Sequence, residues 1–142
     1  MKSDRLGEKP RSTVRIVAAG LALLIAIGIF ILSSVPGLGY PSHPDFLNTI
    51  AHFLEYLALA VCLTVALNSP RRKLWLTALI AIAIASLYGA SDELHQYFVP
   101  GRNCDPVDWL VDTLGATLGA ALAVWQISGR QVKRSRERDR GI

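Results

Sequence analysis

Four apolar runs, Val14 to Leu32, Thr49 to Leu67, Leu74 to about Ala90 and Val107 to about Ile127, alternate with short polar connections. A helix needs about 20 mostly apolar residues to cross the hydrocarbon core of a bilayer, so each run is long enough to span. The pattern predicts an all-α chain of four transmembrane helices. The first connection, SSVPGLGYPSHPDF, is rich in proline and glycine and is expected to be irregular or to form a short re-entrant turn. The second, NSPRRK, is short enough to force spans two and three into an antiparallel hairpin.

Helix ends are partly legible. Asp45, or Asn48 in a later frame, reads as the N-cap of the second helix, and Asp105 followed by Pro106 and Asp108 reads as an acidic start to the fourth. Span three is the least regular, because Leu74 to Ala85 is clean membrane helix but SLYGASDELHQYF follows before Pro100. It is expected either to continue into the headgroup region or to break at Gly89.

The polar residues inside the runs change the picture most. His52, Glu55, Asp92, Glu93, Asp108 and Asp112 interrupt otherwise apolar segments. An ionisable side chain at the centre of a span costs about 2.5–3.5 kcal/mol on insertion scales, so such a cluster marks a functional site. Asn48, His52 and Glu55 fall on one stripe of a helix, as do Asp105, Asp108, Asp112, Gly115 and Gly119.

Composition and charge set the context. With 142 residues, 51% of them hydrophobic, the chain is too short for two soluble domains and too apolar for an ordinary one. The basic leader Lys2, Arg5, Lys9, Arg11 and Arg15 is also how a secretory signal begins, but the apolar run after it exceeds a signal core and no A-x-A site follows.

The net charge of +4 is distributed as a topology signal rather than a nucleic-acid surface. Lys and Arg crowd the N-terminal leader, the second connection (Arg71, Arg72, Lys73) and the tail after span four, whereas Arg102 stands alone in the third connection. The positive-inside bias then puts both termini in the cytoplasm, in an inner (plasma) membrane, with residues 33–48 and 91–106 outside. This divides the chain into a basic leader (1–13), a membrane domain (14–127) and a basic tail (128–142). The tail reads as an orientation signal, with anionic lipid or RNA as its lesser alternative.

With that orientation the start of span two, the end of span three and the start of span four meet at the outer leaflet, and the cluster meets with them. The resulting expectation is a four-helix membrane bundle, N-in and C-in, with a polar cavity open to the outer leaflet. Cys62 lies about 20 Å into span two and Cys104 in the outer loop, so no disulfide between them is expected. Gly115 and Gly119, in GATLG, permit close approach of another helix, either within the chain or across a homodimer.

HFLEY in span two, YGASDELHQYFVPGR, and the following DPVDWLVDTLGATLG together resemble the VanZ-like family of small membrane proteins. The resemblance covers residues 48 to 119. The family commonly has Asp four residues before the His and Asn in the last helix, where this chain has Asn48 and Asp112. The two exchanges are complementary in charge, as expected if those side chains face each other. The family is named for teicoplanin resistance, which the resemblance makes a candidate role.

Each polar residue has a functional and a structural reading. Glu55, about two turns into the span, is expected to be neutral or paired, with His52 and Arg102 as its available partners. It is a candidate general acid or base with His52, supported by Glu93 and Asp108, or else a clasp between helices. Arg102 is a candidate anion clamp, with neutralisation of Glu93 and Asp108 as the alternative. Gln96 shares a face with Glu93, and together with Asn48, Asp112 and Tyr88 forms the candidate binding set.

Asp92 and His95 are expected to be solvated. Tyr88, Tyr97, Phe98 and Trp109 fit an interfacial aromatic belt, or a stacking platform for a glycan. No closed metal signature appears and no cofactor is expected, although the HxxE spacing and the acids are of divalent-ligand type.

The leading expectation is therefore a membrane protein that binds, and as an enzyme would modify, an amphipathic lipid or lipid-linked glycan of the cell envelope. The rival is a non-catalytic protein that affects glycopeptide susceptibility, its polar cluster serving as a structural clasp. A transporter fits less well, since four short spans leave little room for alternating access.

Overall fold

The computed structural model describes residues 9–36, 45–102 and 104–141. The chain is all-α: α1 runs Lys9–Ser33, α2 Asp45–Leu67, α3 Leu74–Gln96 and α4 Pro106–Asp139. Each contains a segment long and apolar enough to cross a membrane. Every helix overruns the apolar run that predicted it at one end or both. The 34 residues of α4 rise about 50 Å, well beyond a hydrocarbon core, because the Gln, Lys, Arg and Glu of the basic tail are themselves good helix formers.

The ends of the helices have local causes. Pro70 follows α2 closely, and the backbone N–H of Arg72 returns to the Ser69 carbonyl at 3.0 Å, which turns the chain directly into α3. Arg15 Nε donates to the Ala66 carbonyl at 3.1 Å, and Arg72 Nη1 to that of Leu67 at 3.4 Å. Cations thus meet the exposed carbonyls at the negative end of α2.

Past Gly89 α3 continues unbroken to Gln96, so of the two expected outcomes the helix continues. It stops in a turn where Arg102 N–H donates to the Val99 carbonyl at 3.1 Å. Pro100 presets the first corner of that turn, and Gly101, at φ 79°, supplies the left-handed second corner. Asp105 caps α4 as expected, its Oδ1 accepting from Val107 N–H at 2.8 Å, with Asp108 in the first turn. The second helix begins at Asp45, so Asn48 lies within it. The irregular first connection falls largely on residues 37–44, outside the described residues.

Packing is the inverse of a soluble bundle. Large apolar side chains point outward, Leu87 at 72% exposed and Trp125 at 73% among them, while Ala60, Ala81, Ala85, Ala116 and Ala120 are wholly buried. Lipid is as apolar as leucine, so helices associate where small residues let backbones approach and dispersion contacts accumulate. The α2–α4 seam is the most extensive contact and uses this device directly.

A methyl group on Gly115 would run into the Phe53 carbonyl, and one on Gly119 into that of Leu57. The GxxxG face is therefore buried against α2 of the same chain. Of the two expected uses of that face, the packing within the chain is the one seen.

Candidate functional site

The polar groups collect where α1 ends, α2 begins, α3 ends and α4 begins. Hydrogen bonds tie these helices together. His52 Nδ1 lies 3.1 Å from Asp112 Oδ1, joining α2 to α4 as a buried ion pair when the ring is protonated. Ser33 Oγ donates to Asp92 Oδ2 at 2.7 Å, joining α1 to α3. Glu93 Oε2 accepts from the backbone N–H of Asp105 at 2.8 Å, so α3 holds the start of α4. Ser86 and Thr113 hydroxyls meet at 2.9 Å, and Trp109 Nε1 donates to the Ser86 carbonyl at 3.1 Å.

Within α3, the Gln96 amide donates to Asp92 Oδ2 at 3.1 Å and to Glu93 Oε1 at 3.3 Å. These bonds follow from helical spacing, since residues three and four apart are neighbours on the helix surface. They set Asp92, Glu93 and Gln96 as one buried polar patch facing α1, α2 and α4.

Asp112 is wholly buried, and Gly89 makes room for it: a Cβ at position 89 would lie 3.0 Å from Asp112 Oδ2 and 3.3 Å from the Tyr56 ring. Asp112 Oδ2, Asp92 Oδ1 and the Tyr56 hydroxyl are buried without a hydrogen-bond partner among the described residues. One donor atom each from His52, Glu93 and Asp112 lies within 4.8 Å of the others. No closed signature announced that constellation, because its three members come from three helices.

Several expectations are corrected here. Asp92, expected to be solvated, is 3% exposed and bonded to Ser33 and Gln96. Asp92 and Glu93 are adjacent, about 100° apart on the helix, and both face neighbouring helices at the crowded end of α3. His95 is half-buried, stacked on Phe30 with ring centroids 4.7 Å apart, and its Nε2 meets the Ser34 hydroxyl at 3.0 Å. Asp112 faces His52 rather than Asn48, which is half-buried.

Glu55 is half-buried and makes no hydrogen bond to a described residue, while its expected partner His52 turns Nδ1 to Asp112. Arg102 sends Nη2 to the Leu32 carbonyl at 2.8 Å, which caps the C-terminus of α1, and its Nε is buried without a partner among the described residues. Asp108, half-buried in the first turn of α4, also interacts with its surroundings. Tyr88 is half-buried, and its hydroxyl donates to the Ala26 carbonyl at 2.7 Å, so it acts as a link to α1.

Of the expected aromatic belt, Tyr97 and Phe98 are 70% and 74% exposed and pack edge to face, whereas Trp109 is tied to α3. Cys62 and Cys104 are both free thiols.

Sequence reading missed Ser33, Tyr56 and the backbone of Asp105 as members of the site. Ser33 closes an apolar run and looks like a helix terminus, and only the packing of α1 beside α3 reveals its partner. Tyr56 stands in HFLEY next to Glu55 and shares a helical face with His52, a signal that was available in the spacing.

Comparison with known proteins gives one positive result. No curated protein matches the chain, and no solved structure matches it. Residues 10–127 match the family model of VanZ/LLP1, which extends the likeness beyond residues 48 to 119 to include the whole of the first span. With four candidate spans and a family match over most of its length, the chain is a multi-pass membrane protein belonging to the VanZ/LLP1 family.

Proposed function

We propose that the polar end of the bundle faces the extracytoplasmic side and binds an amphipathic lipid or lipid-linked glycan of the cell envelope there. The single observation that carries this reading is that the buried ionisable side chains among the described residues, His52, Asp92, Glu93 and Asp112, concentrate at one end of the bundle. Such groups are expensive in a membrane and are retained where they serve a function. The orientation rests on the positive-inside bias, since Arg71, Arg72, Lys73 and the basic tail lie toward the end of the bundle opposite Arg102.

In this reading Arg102 holds an anionic headgroup through donors not used on Leu32, and Glu55, lacking a hydrogen bond to a described residue, faces the ligand. His52 with Asp112, and Glu93 and Asp108, would supply any acid and base chemistry, while Asn48, Gln96 and Tyr88 line the approach. Exposed Leu94, Tyr97 and Phe98 offer an apolar surface for the acyl chains.

A second reading has an observation of its own. Ser33 bonds Asp92, Gln96 bonds Glu93 and His52 bonds Asp112, as members of a structural clasp would. On this reading the protein alters glycopeptide susceptibility without turnover.

Native lipid mass spectrometry of the purified full-length protein separates the two. A phosphate-bearing lipid that copurifies with wild type and is depleted in folded Arg102→Ala and Glu55→Gln supports binding. An unchanged lipid profile in both variants overturns it.

A further inference from the structure

We propose that His52, Glu93 and Asp112 form a binding site for one divalent transition-metal ion of the Zn2+ or Mn2+ class. The inference deepens the reading of the same polar end, but its test reads metal alone, so loss of the lipid reading leaves it standing.

The geometry comes first. Ligand atoms around one ion at about 2.0–2.2 Å are separated by roughly 3.4 Å in a tetrahedron and 4.2 Å when opposite. The three donor atoms lie within 4.8 Å of one another, so closing on a tetrahedral ion shortens the longest separation by up to about 1.4 Å, which side-chain rotation shared between two residues supplies. All three side chains are buried, and each comes from a different helix.

Charge and hydrogen bonding point the same way. Asp92 and Glu93 are held by neutral donors, from Ser33, Gln96 and the Asp105 backbone, and Asp112 by His52. Once the imidazole gives up its proton to coordinate, the carboxylates of Glu93 and Asp112 carry the charge that a divalent cation balances, and uncompensated charge is costly in this setting.

Asp112 is the second, independent observation: it is wholly buried, yet Oδ2 has no hydrogen-bond partner among the described residues. A buried carboxylate oxygen left unsatisfied is expected to have a ligand.

The surrounding groups are those that orient metal ligands. Gln96 and the Asp105 N–H fix the Glu93 carboxylate, and His52 Nδ1, 3.1 Å from Asp112 Oδ1, is the ring nitrogen placed to share an ion with that carboxylate. One imidazole with two carboxylates favours Zn2+ or Mn2+ over Mg2+ or Ca2+, which prefer all-oxygen sites.

The test uses the full-length protein in detergent, stripped with a chelator and titrated separately with Zn2+ and Mn2+. Bound metal is read by elemental analysis after desalting. Wild type should retain about one ion per chain and melt higher when loaded. His52→Ala and Asp112→Asn should bind at least about tenfold more weakly, while Thr117→Val, altered on an exposed face of α4, should bind as wild type does.

If a variant fails to fold, the wild type loaded with Mn2+ still decides the matter. Labelling of histidine with a nitrogen isotope should reveal imidazole coupling in its paramagnetic resonance spectrum. Absence of stoichiometric binding, equal binding by folded variants, or a spectrum without nitrogen coupling each overturns the assignment.

Discussion

Replacing Gly119 with alanine tests whether the α2–α4 seam is the principal support of this bundle. The added Cβ would sit on the Leu57 carbonyl oxygen, with the Leu57 carbonyl carbon at 3.0 Å and its Cα at 3.1 Å. Comfortable separations between carbons are about 3.5–4.0 Å, and the obstacle is backbone, which cannot rotate away as a side chain would. The helices must therefore part by roughly half an ångström or more, and a radial gap of that size forfeits about a quarter of each dispersion contact along the seam.

Overpacking of this kind costs about 1–3 kcal/mol, and a rigid obstacle places Gly119→Ala in the upper half of that range. Alanine recovers up to about 1 kcal/mol of helix propensity, leaving a net loss of about 1–2 kcal/mol. Gly20 and Gly129 are the internal controls, since a Cβ at either meets nothing within 4 Å. Gly20→Ala and Gly129→Ala should be neutral or stabilising by up to about 1 kcal/mol.

The contrast is then about 2–3 kcal/mol, roughly 30- to 150-fold in the unfolding equilibrium. Reversible unfolding in mixed detergent micelles measures it directly. Equal stability of Gly119→Ala and Gly20→Ala would refute the close approach of α4 to α2.

Three further outcomes follow from the site and its surroundings. A double-mutant cycle on His52→Ala and Asp112→Ala should give a coupling of about 1–3 kcal/mol, and additive losses would mean that the buried pair contributes nothing as a pair. Tyr88→Phe removes the donor to the Ala26 carbonyl and should cost about 1 kcal/mol in the same unfolding assay, whereas an unchanged stability would dissociate α1 from that contact. Cys104 is exposed and Cys62 is half-buried among the helices, so a membrane-impermeant maleimide applied to intact cells should label Cys104 alone. Labelling only after the membrane is opened would reverse the proposed orientation.

Much of the architecture was legible because a bilayer imposes a simple constraint: backbone polar groups must be satisfied within the segment, so a long apolar run has to be a helix. That constraint explains why all four runs, from Val14 to Ile127, appear as helices at the expected places. It does not set the ends. Helix hydrogen bonding is indifferent to polarity once a good helix former follows, which is how α4 reaches Asp139 and α3 passes Gly89 to reach Gln96.

The candidate site was legible in membership more than in pairing. Helical spacing places Asn48, His52 and Glu55 on one face, and Asp105, Asp108 and Asp112 on another, from sequence alone. Which residue of one face meets which residue of another depends on the rotation and depth of each helix in the bundle. Those are set by where small residues let backbones touch, at Gly115 and Gly119 against Phe53 and Leu57.

That seam turns His52 toward Asp112, and the room at Gly89 lets Asp112 lie beside α3. The approach of α1 to α3 gives Asp92 its partner in Ser33, and Arg102 reaches Leu32 at the end of α1. The sequence by itself determined four apolar helices and a polar set too costly to be incidental. Tertiary packing alone decided the pairs within that set, because close contact between helices depends on residues far apart in the chain.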